Sequence, residues 1–272
     1  MLFTILGAPG FIGSHLVRRL QKLRIEYLAP QRDDRSIFGR QLGHVIYCIG
    51  LTADFRDRSF DTVRAHVCYL LNILEEAEFE SLLYLSTTRV YKGMQTSQED
   101  SVLKVNPTEP NDLYNISKIM GESLCLSSKR SGVRIARLGN VYGRDFSSNN
   151  FLSCVIRDAI QNKRVLLQTT MASEKDFISI DDVVCLLPQI ALSGRHRIYN
   201  VASGMNTSNA ALLEVIRCVT GCTVEVSDGA ETVIFPTVSI DRIRDEFDFS
   251  STSILDSLGD LITEYERKES TR

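Results

Sequence analysis

A tyrosine and a lysine stand four residues apart in the segment YNISK, Tyr114 to Lys118. On a helix, positions four residues apart share one face, so the phenol and the ammonium group could point into the same space. A phenol with a pKa near 10 is a poor base at neutral pH, and a nearby ammonium group would lower that pKa. The pair could therefore move a proton on a substrate oxygen, although the same spacing also occurs on ordinary exposed helix faces.

A glycine-rich turn follows the first predicted strand, in the segment GAPGFIGSH. Its three glycines have the spacing G-x-x-G-x-x-G, between an apolar run at 2–6 and an amphipathic helical pattern at 14–23. Glycines in this position allow the backbone to approach a pyrophosphate, and the N-terminus of the following helix supplies free N–H groups. The segment therefore predicts a dinucleotide site. The residues assigned to it are Gly7, Gly10, Phe11, Ile12 and Gly13.

The elements that would position these groups alternate between strand and helix in the first half of the chain. Apolar runs predict strands at 2–6, 25–29, 45–49, 82–85 and 133–138, with helices near 60–78 and 112–130. Parallel strands need crossover connections, so this alternation indicates a parallel sheet with helices on both faces. We therefore predict an α/β fold, a Rossmann-type doubly wound parallel sheet with a smaller C-terminal substrate-binding lobe.

The alternation becomes less regular after residue 143, which sets the predicted domain boundaries. Residues 1–143 are assigned to the dinucleotide-binding domain, and 176–204 are expected to return to it. Residues 144–175 and 205–272 are assigned to the smaller substrate-binding lobe, with a polar loop at 144–150 and a helix near 151–162. The charged tail ERKESTR at 266–272 is predicted to be disordered.

Composition limits the classes of partner and compartment. The net charge is -3, from 31 basic and 34 acidic residues mixed along the chain, so we expect binding to neither nucleic acid nor a membrane. The N-terminus MLFTILGAPG has no basic region, and no apolar run approaches a membrane span, so we expect a soluble cytoplasmic protein. The seven cysteines and four histidines lack the spacing of a metal site, and we predict none.

The end of the second strand bears on the choice between NAD and NADP. An acid there would bind the ribose 2′-hydroxyl of NAD, whereas an arginine would favour the 2′-phosphate of NADP. The segment reads YLAPQRDD, in which Arg32 reaches that place first and Asp33 and Asp34 follow. If the ribose-binding position lies one or two residues further along the chain, an aspartate occupies it and NAD is favoured instead. We expect NAD or NADP as cofactor, with NADP favoured.

Six blocks of sequence, in order, give the chain a family resemblance. They are GAPGFIGSH at 7–15, YLSTTRVYKG at 84–93, YNISK at 114–118, RLGNVYG at 137–143, KDFISIDDVV at 175–184 and YNVASG at 199–204. The chain resembles the extended short-chain dehydrogenase/reductase family, specifically the NAD(P)-dependent epimerase/dehydratase group that acts on nucleotide sugars. The resemblance implies that Tyr114 is the acid/base, that Lys118 holds the cofactor ribose and lowers the pKa of Tyr114, and that Thr87 binds the reacting oxygen.

The resemblance also implies contacts with a nucleotide-sugar substrate and a homodimeric assembly. Lys175 stands where the family usually has an arginine that meets substrate phosphate, so charge is kept but the bidentate fork is lost. For two of the remaining residues another role is open: Tyr142 could belong to a strand-end turn and Asn150 to a solvated loop. The full set of expected substrate-binding residues is Thr88, Asn140, Tyr142, Asn150 and Lys175.

The implied activity is epimerisation of a nucleotide sugar through a transient keto intermediate. An NADP-dependent keto-sugar reductase using the same residues is the alternative, and a non-catalytic dinucleotide-binding regulatory protein is the alternative from another class. Thr88 and Arg89 occupy positions where the 4,6-dehydratases have an Asp-Glu pair, so dehydration of that type is not expected. Residues 30–43 also leave little room for the helix and the adenine-contacting acid common in the family.

Overall fold

A parallel sheet at the centre of the molecule holds most of the predicted strands. The computed structural model describes residues 1–32, 34–51, 55–144 and 148–270. In chain order their strands are β1 (Leu2–Leu6), β2 (Glu26–Leu28), β3 (His44–Tyr47), β4 (Ser81–Thr87), β5 (Val133–Leu138), β6 (Asn140–Tyr142), β7 (Arg164–Thr169), β8 (Glu174–Ser179), β9 (Ile198–Val201), β10 (Asn206–Ser208) and β11 (Thr223–Glu231). Six of them form one sheet in the order β2-β1-β3-β4-β5-β9, in which every neighbouring pair is parallel.

Helices cover both faces of this sheet, because its strands are buried on both sides. The described helices are α1 (Phe11–Lys22), α2 (Ser59–Val63), α3 (Tyr69–Glu76), α4 (Leu113–Ser127), α5 (Phe151–Gln161), α6 (Ile180–Ser193), α7 (Asn209–Thr220), α8 (Asp241–Phe247) and α9 (Ile254–Ser270). A π-helical turn, Arg64–Cys68, joins α2 to α3. Side chains of α1 and α6 pack on one face, and those of α3 and α4 pack on the other. The predicted α/β fold with a doubly wound parallel sheet is confirmed.

The strand order reverses between β1 and β3, which defines where a ligand can enter. In doubly wound sheets, ligands bind in the crevice outside the carboxyl ends of the strands at such a reversal. The glycine turn after β1 and residues 48–51 after β3 both lie at this edge.

A second hydrophobic core lies beyond the main sheet. It is built from α5, α7, α9, β7 and Phe177 of β8, while β6, β8 and β10 form a three-stranded sheet between the two cores. Helix α8, by contrast, contributes Ile243 to the core of the main sheet. The predicted domain boundaries remain a prediction, and this packing favours counting residues 241–249 with the main sheet.

One expectation about local structure needs correction. The tail predicted to be disordered continues α9 as far as Ser270, and residues 271–272 lie outside the described part. Buried side chains at Leu258, Ile262 and Tyr265 hold the preceding turns against the second core, and charged residues can extend such a helix into solvent.

None of the described helices combines the length and the apolar composition needed to cross a bilayer.

A buried ion pair links α4 to the sheet. The guanidinium group of Arg137 on β5 lies 2.6 Å from the carboxylate of Glu122 on α4, and both side chains are 3% exposed. Arg137 also donates to the Tyr91 hydroxyl at 2.7 Å, and Ser86 donates to Glu122 at 2.5 Å. Buried charges are tolerated when they are paired and fully hydrogen-bonded, and this arrangement meets that condition.

We expect Glu122→Gln to lower the free energy of unfolding by about 3 to 5 kcal/mol, because it leaves the Arg137 charge buried without its partner. Urea unfolding of the parent and the variant measures this difference. The control is Glu225→Gln, which breaks the exposed Arg164–Glu225 pair and should cost less than about 1 kcal/mol. Similar losses in the two variants would show that the buried pair contributes no more than a surface pair.

Candidate active site

The glycine turn has the geometry of a close backbone approach. Gly7 has a φ of +85°, which favours glycine, and a Cβ on Gly13 would lie 2.3 Å from the carbonyl oxygen of Gly7. Gly10 is the N-cap of α1 and offers no side-chain hydrogen bond to the helix. The first turn of α1 therefore has backbone N–H groups free for an anionic ligand, and it carries no acidic residue.

A fourth glycine, Gly50, lies after β3 at the same sheet edge. A Cβ there would lie 3.1 Å from Nε2 of His66 and 3.4 Å from Nζ of Lys118. The ammonium group of Lys118 thus reaches the crevice at the carboxyl end of β3. Sequence reasoning did not single out Gly50, although a glycine directly after a predicted strand was a usable signal.

Helix α4 places the predicted catalytic side chains together against the end of β4. Lys118 donates a hydrogen bond from Nζ to the carbonyl oxygen of Leu85 at 2.8 Å. The Thr87 side chain lies close enough to the Tyr114 hydroxyl to act on its pKa. Tyr114 and Lys118 are 6% and 5% exposed, so YNISK is a buried helix face rather than a solvated one. The structure thus brings Thr87, Tyr114 and Lys118 together.

The charges around Tyr114 differ from those expected. Burial raises the pKa of Tyr114 to about 12, while the positive charge of Arg89 and the Thr87 side chain oppose the rise. Burial also lowers the pKa of Lys118 to about 7, although the negative charge of Glu122 opposes the shift. The expected lowering of the Tyr114 pKa by Lys118 is therefore wrong for this structure: its pKa is raised, and the cation that acts on it is Arg89.

His66 is a neighbour of Tyr114 that the sequence did not reveal. Its ring meets the Tyr114 ring edge-on, with centroids 5.3 Å apart. Burial, and then the charge of Lys118, lower the His66 pKa to about 2, so the imidazole is neutral. Its Nε2 accepts from the backbone N–H of Leu51 at 3.3 Å, which assigns the proton to Nδ1, 2.9 Å from the Ser117 hydroxyl. The π-helical turn that carries His66 brings it into the site, and such turns often occur at functional sites.

Arg89 and Phe55 complete the surroundings of the Tyr114 ring. The Arg89 Cζ lies 5.6 Å from the centroid of the Tyr114 ring and 5.2 Å from that of Phe55. The backbone N–H of Arg89 donates to the Thr87 hydroxyl oxygen at 3.2 Å. The sequence showed only that Arg89 replaces a carboxylate; its proximity to the acid/base candidate required the structure.

The expected substrate-binding residues divide into two groups. Asn140 donates to the Asp176 carbonyl oxygen at 2.8 Å. Tyr142 packs in the second core and its hydroxyl is hydrogen-bonded to that of Ser257 at 2.8 Å. The side chain of Asn150 caps α5. These contacts favour structural roles for all three. Thr88 is buried directly after β4, and half-buried Lys175 places Nζ 4.2 Å from the centroid of the Phe151 ring.

The residues expected to bind the adenosine ribose lie at the exposed end of β2. The side chain of Arg32 is exposed, and Asp33 lies outside the described residues. Asp34 accepts hydrogen bonds from the backbone and the hydroxyl of Ser36, and its carboxylate lies 3.8 Å from Arg40. The Asp34 carboxylate already has these partners, whereas the exposed Arg32 is available to contact the adenosine ribose. In the described part of 30–43, which omits Asp33, the structure has one short 3-10 turn, Arg35–Gly39, in place of a helix.

Together, the glycine turn at the strand-order reversal and the buried Thr-Tyr-Lys group define a dinucleotide-dependent α/β enzyme site. The chain belongs to the NAD dependent epimerase/dehydratase family, whose model matches residues 3–202. Members of the family are enzymes that act on nucleotide sugars with NAD(P), and the matching curated proteins include reductases, dehydratases and epimerases.

Three individual matches illustrate this range. The dTDP-4-dehydro-6-deoxy-D-allose reductase of Streptomyces bikiniensis is 24% identical over 262 residues, covering 80% of each chain. Among solved structures, MoeE5 in complex with UDP-glucose and NAD has a TM-score of 0.81 at 20% identity, over 98% of this chain and 99% of that one. RMD from Pseudomonas aeruginosa complexed with NADPH has a TM-score of 0.79 at 22% identity, with the same coverage of both chains. The two structures share the fold and bind different dinucleotides.

We expect Lys118→Met to stabilise the protein at neutral pH, by an amount that shrinks as the pH rises. With a folded pKa of about 7 and an ordinary value of 10.5, the unfolded parent binds more protons between these values, so parental stability rises with pH there. The variant's advantage in unfolding free energy should therefore fall by about 2 kcal/mol between about pH 7 and pH 9. Urea unfolding at both pH values measures it, with Lys104→Met at an exposed lysine as the control. An unchanged difference would contradict a neutral-range pKa for Lys118.

Proposed function

We propose that the protein is an NAD(P)-dependent reductase of a nucleotide-linked keto-sugar, with Tyr114 as the proton donor. The observation that supports this direction is the state of the Tyr114 hydroxyl. It is buried beside Thr87, and its pKa is raised to about 12, so it is protonated at neutral pH. A protonated phenol beside a ketone oxygen can supply the proton that reduction requires.

The side chains around Tyr114 divide the remaining tasks. The Thr87 hydroxyl is placed to bind the same substrate oxygen as Tyr114 and so to orient it. Lys118 reaches the crevice beside Gly50, where it would hold the ribose of the nicotinamide half. His66 and Phe55 pack against the Tyr114 ring and fix its direction. When bound, the nicotinamide would supply the hydride, and the burial of the group would exclude water from the transfer.

The dinucleotide would lie across the glycine turn, with its pyrophosphate at the N-terminus of α1. Arg32 would meet a 2′-phosphate, because Asp34 already accepts from Ser36 and pairs with Arg40. We therefore propose NADP in preference to NAD. The relatives support either dinucleotide, since the neighbouring structures contain NAD in one case and NADPH in another.

Epimerisation is the second candidate, supported by the family to which the chain belongs. An epimerase would first oxidise a sugar hydroxyl, with Tyr114 as the base that accepts its proton. After the ketone had rotated in the site, the enzyme would return the hydride to the other face of the ketone and the proton to its oxygen. It would also retain its dinucleotide through purification, whereas a reductase must exchange it at every turnover. The buried Tyr114 phenol with its raised pKa favours the reductase as first candidate, because reduction needs a proton donor whereas the first step of epimerisation needs a base.

We expect Tyr114→Phe to bind NADPH nearly as well as the parent and to lose turnover by about 10² to 10⁴, because only the proton-transferring hydroxyl is removed. The assay is NADPH consumption with UDP-, dTDP- and GDP-linked 4-keto sugars. Tyr199→Phe is the matched control, since its hydroxyl bonds to Glu246 and its pKa is likewise raised to about 12. Near-parental turnover in Tyr114→Phe, or no turnover of any keto-sugar by the parent, would contradict the proposal.

A further inference from the structure

Two arginines lie around the Tyr114 and Phe55 rings, and a third cation, Lys175, is close enough to Arg89 to be affected by its charge. The Arg89 Cζ lies over both rings, and the Arg56 Cζ lies 4.6 Å from the Phe55 centroid. Lys175 approaches from β8, where burial and then the charge of Arg89 lower its pKa. The three cations therefore belong to one electrostatic cluster, which we call the cation cluster.

The cation cluster lacks a close carboxylate. Among the described residues, no carboxylate lies within 4.0 Å of the charged nitrogens of Arg89 or Lys175, and Asp112 acts on Arg89 only from a longer distance. The Arg89 side chain donates to the carbonyl oxygen of Asn111 at 3.4 Å. Another part-buried arginine, Arg242, pairs with both Glu99 and Asp100. Like charges in a partly desolvated cleft repel one another and attract anions. The cluster is thus suited to an anionic ligand.

Two parts of a nucleotide sugar could supply that anion, and their positions differ. The diphosphate is attached to the anomeric carbon, and the family resemblance assigns it to Lys175. Arg89, by contrast, bonds through its backbone to Thr87 and stacks on Tyr114, the two residues that would hold the reacting oxygen. An anion bound by Arg89 would therefore lie beside the reacting carbon. A carboxylate on the neighbouring ring carbon has that position.

We propose that the substrate is the keto form of a nucleotide-linked uronic acid, whose carboxylate is bound by the guanidinium group of Arg89, and that the uronic acid itself is the product. The inference rests on the proposed function, because it assumes that Thr87 and Tyr114 hold a sugar oxygen. Arginine binds a carboxylate through two parallel hydrogen bonds, which a neutral hydroxymethyl group cannot reproduce. Arg89, which stands where the 4,6-dehydratases have a catalytic carboxylate, would thus select an acidic sugar.

The test compares two pairs of ligands that differ only at the sugar C6: UDP-glucose with UDP-glucuronate, and GDP-mannose with GDP-mannuronate. Calorimetric titration into the NADPH-saturated protein measures binding without turnover, since neither member of a pair is a ketone. We expect the uronate of at least one pair to bind about 10- to 100-fold more tightly than its neutral partner. Arg89→Gln should abolish this preference, and Arg89→Lys should retain part of it.

Two variants control for the rest of the cation cluster. Arg56→Gln removes a neighbouring positive charge but leaves Arg89 on Tyr114, so the uronate preference should persist. Lys175→Met should weaken both members of a pair equally. Equal binding of uronate and neutral sugar, or an Arg89→Gln variant that weakens both equally, would overturn the inference and assign Arg89 to the diphosphate. Failure of all four sugars to bind would contradict the proposed function as well.

Discussion

The buried pair between Arg137 and Glu122 is the interaction on which the geometry of the site depends. Glu122 lies on the same face of α4 as Tyr114 and Lys118, at intervals of four residues. Its carboxylate is fixed by Arg137 and Ser86, which lie on two neighbouring strands. A rotation or a shift of α4 would break these bonds and leave charge buried without a partner, so the pair sets the position of the helix. The positions of Tyr114 and Lys118, which α4 carries, therefore depend on this ion pair.

Burial has opposite consequences for the two ends of this face. It keeps the Tyr114 phenol protonated and it weakens the charge of Lys118, whose pKa falls to about 7. The lasting positive charge next to Tyr114 therefore comes from Arg89, a guanidinium that stays protonated far above neutral pH. In the proposed function, this division would leave Lys118 to the ribose side of the crevice and Arg89 to the substrate side. Arg89 would then link the acid/base group to the choice of sugar.

Sequence reasoning predicted what depends on local pattern. The glycine turn, the strands and the Tyr114–Lys118 face follow from short-range spacing, and the six ordered blocks add Thr87. His66 and Arg89 reach the site through a π-helical turn and a turn after β4, which bring together residues far apart in the chain. Nothing in the spacing of those residues indicates such contacts. Conversely, Asn150 lies in the loop expected to contact the sugar nucleotide, yet its side chain caps α5.

If Tyr114 donates a proton to the substrate, its phenol must be protonated at neutral pH. The pH at which this phenol ionises can be measured. The measurement is an ultraviolet titration of phenolate in the NADPH-saturated parent, from which the same titration of Tyr114→Phe is subtracted. The difference isolates one phenol among the tyrosines of the chain. We expect this phenol to ionise only above about pH 10, because burial raises its pKa to about 12. A phenolate that forms near neutral pH would show that Tyr114 is a base rather than a proton donor.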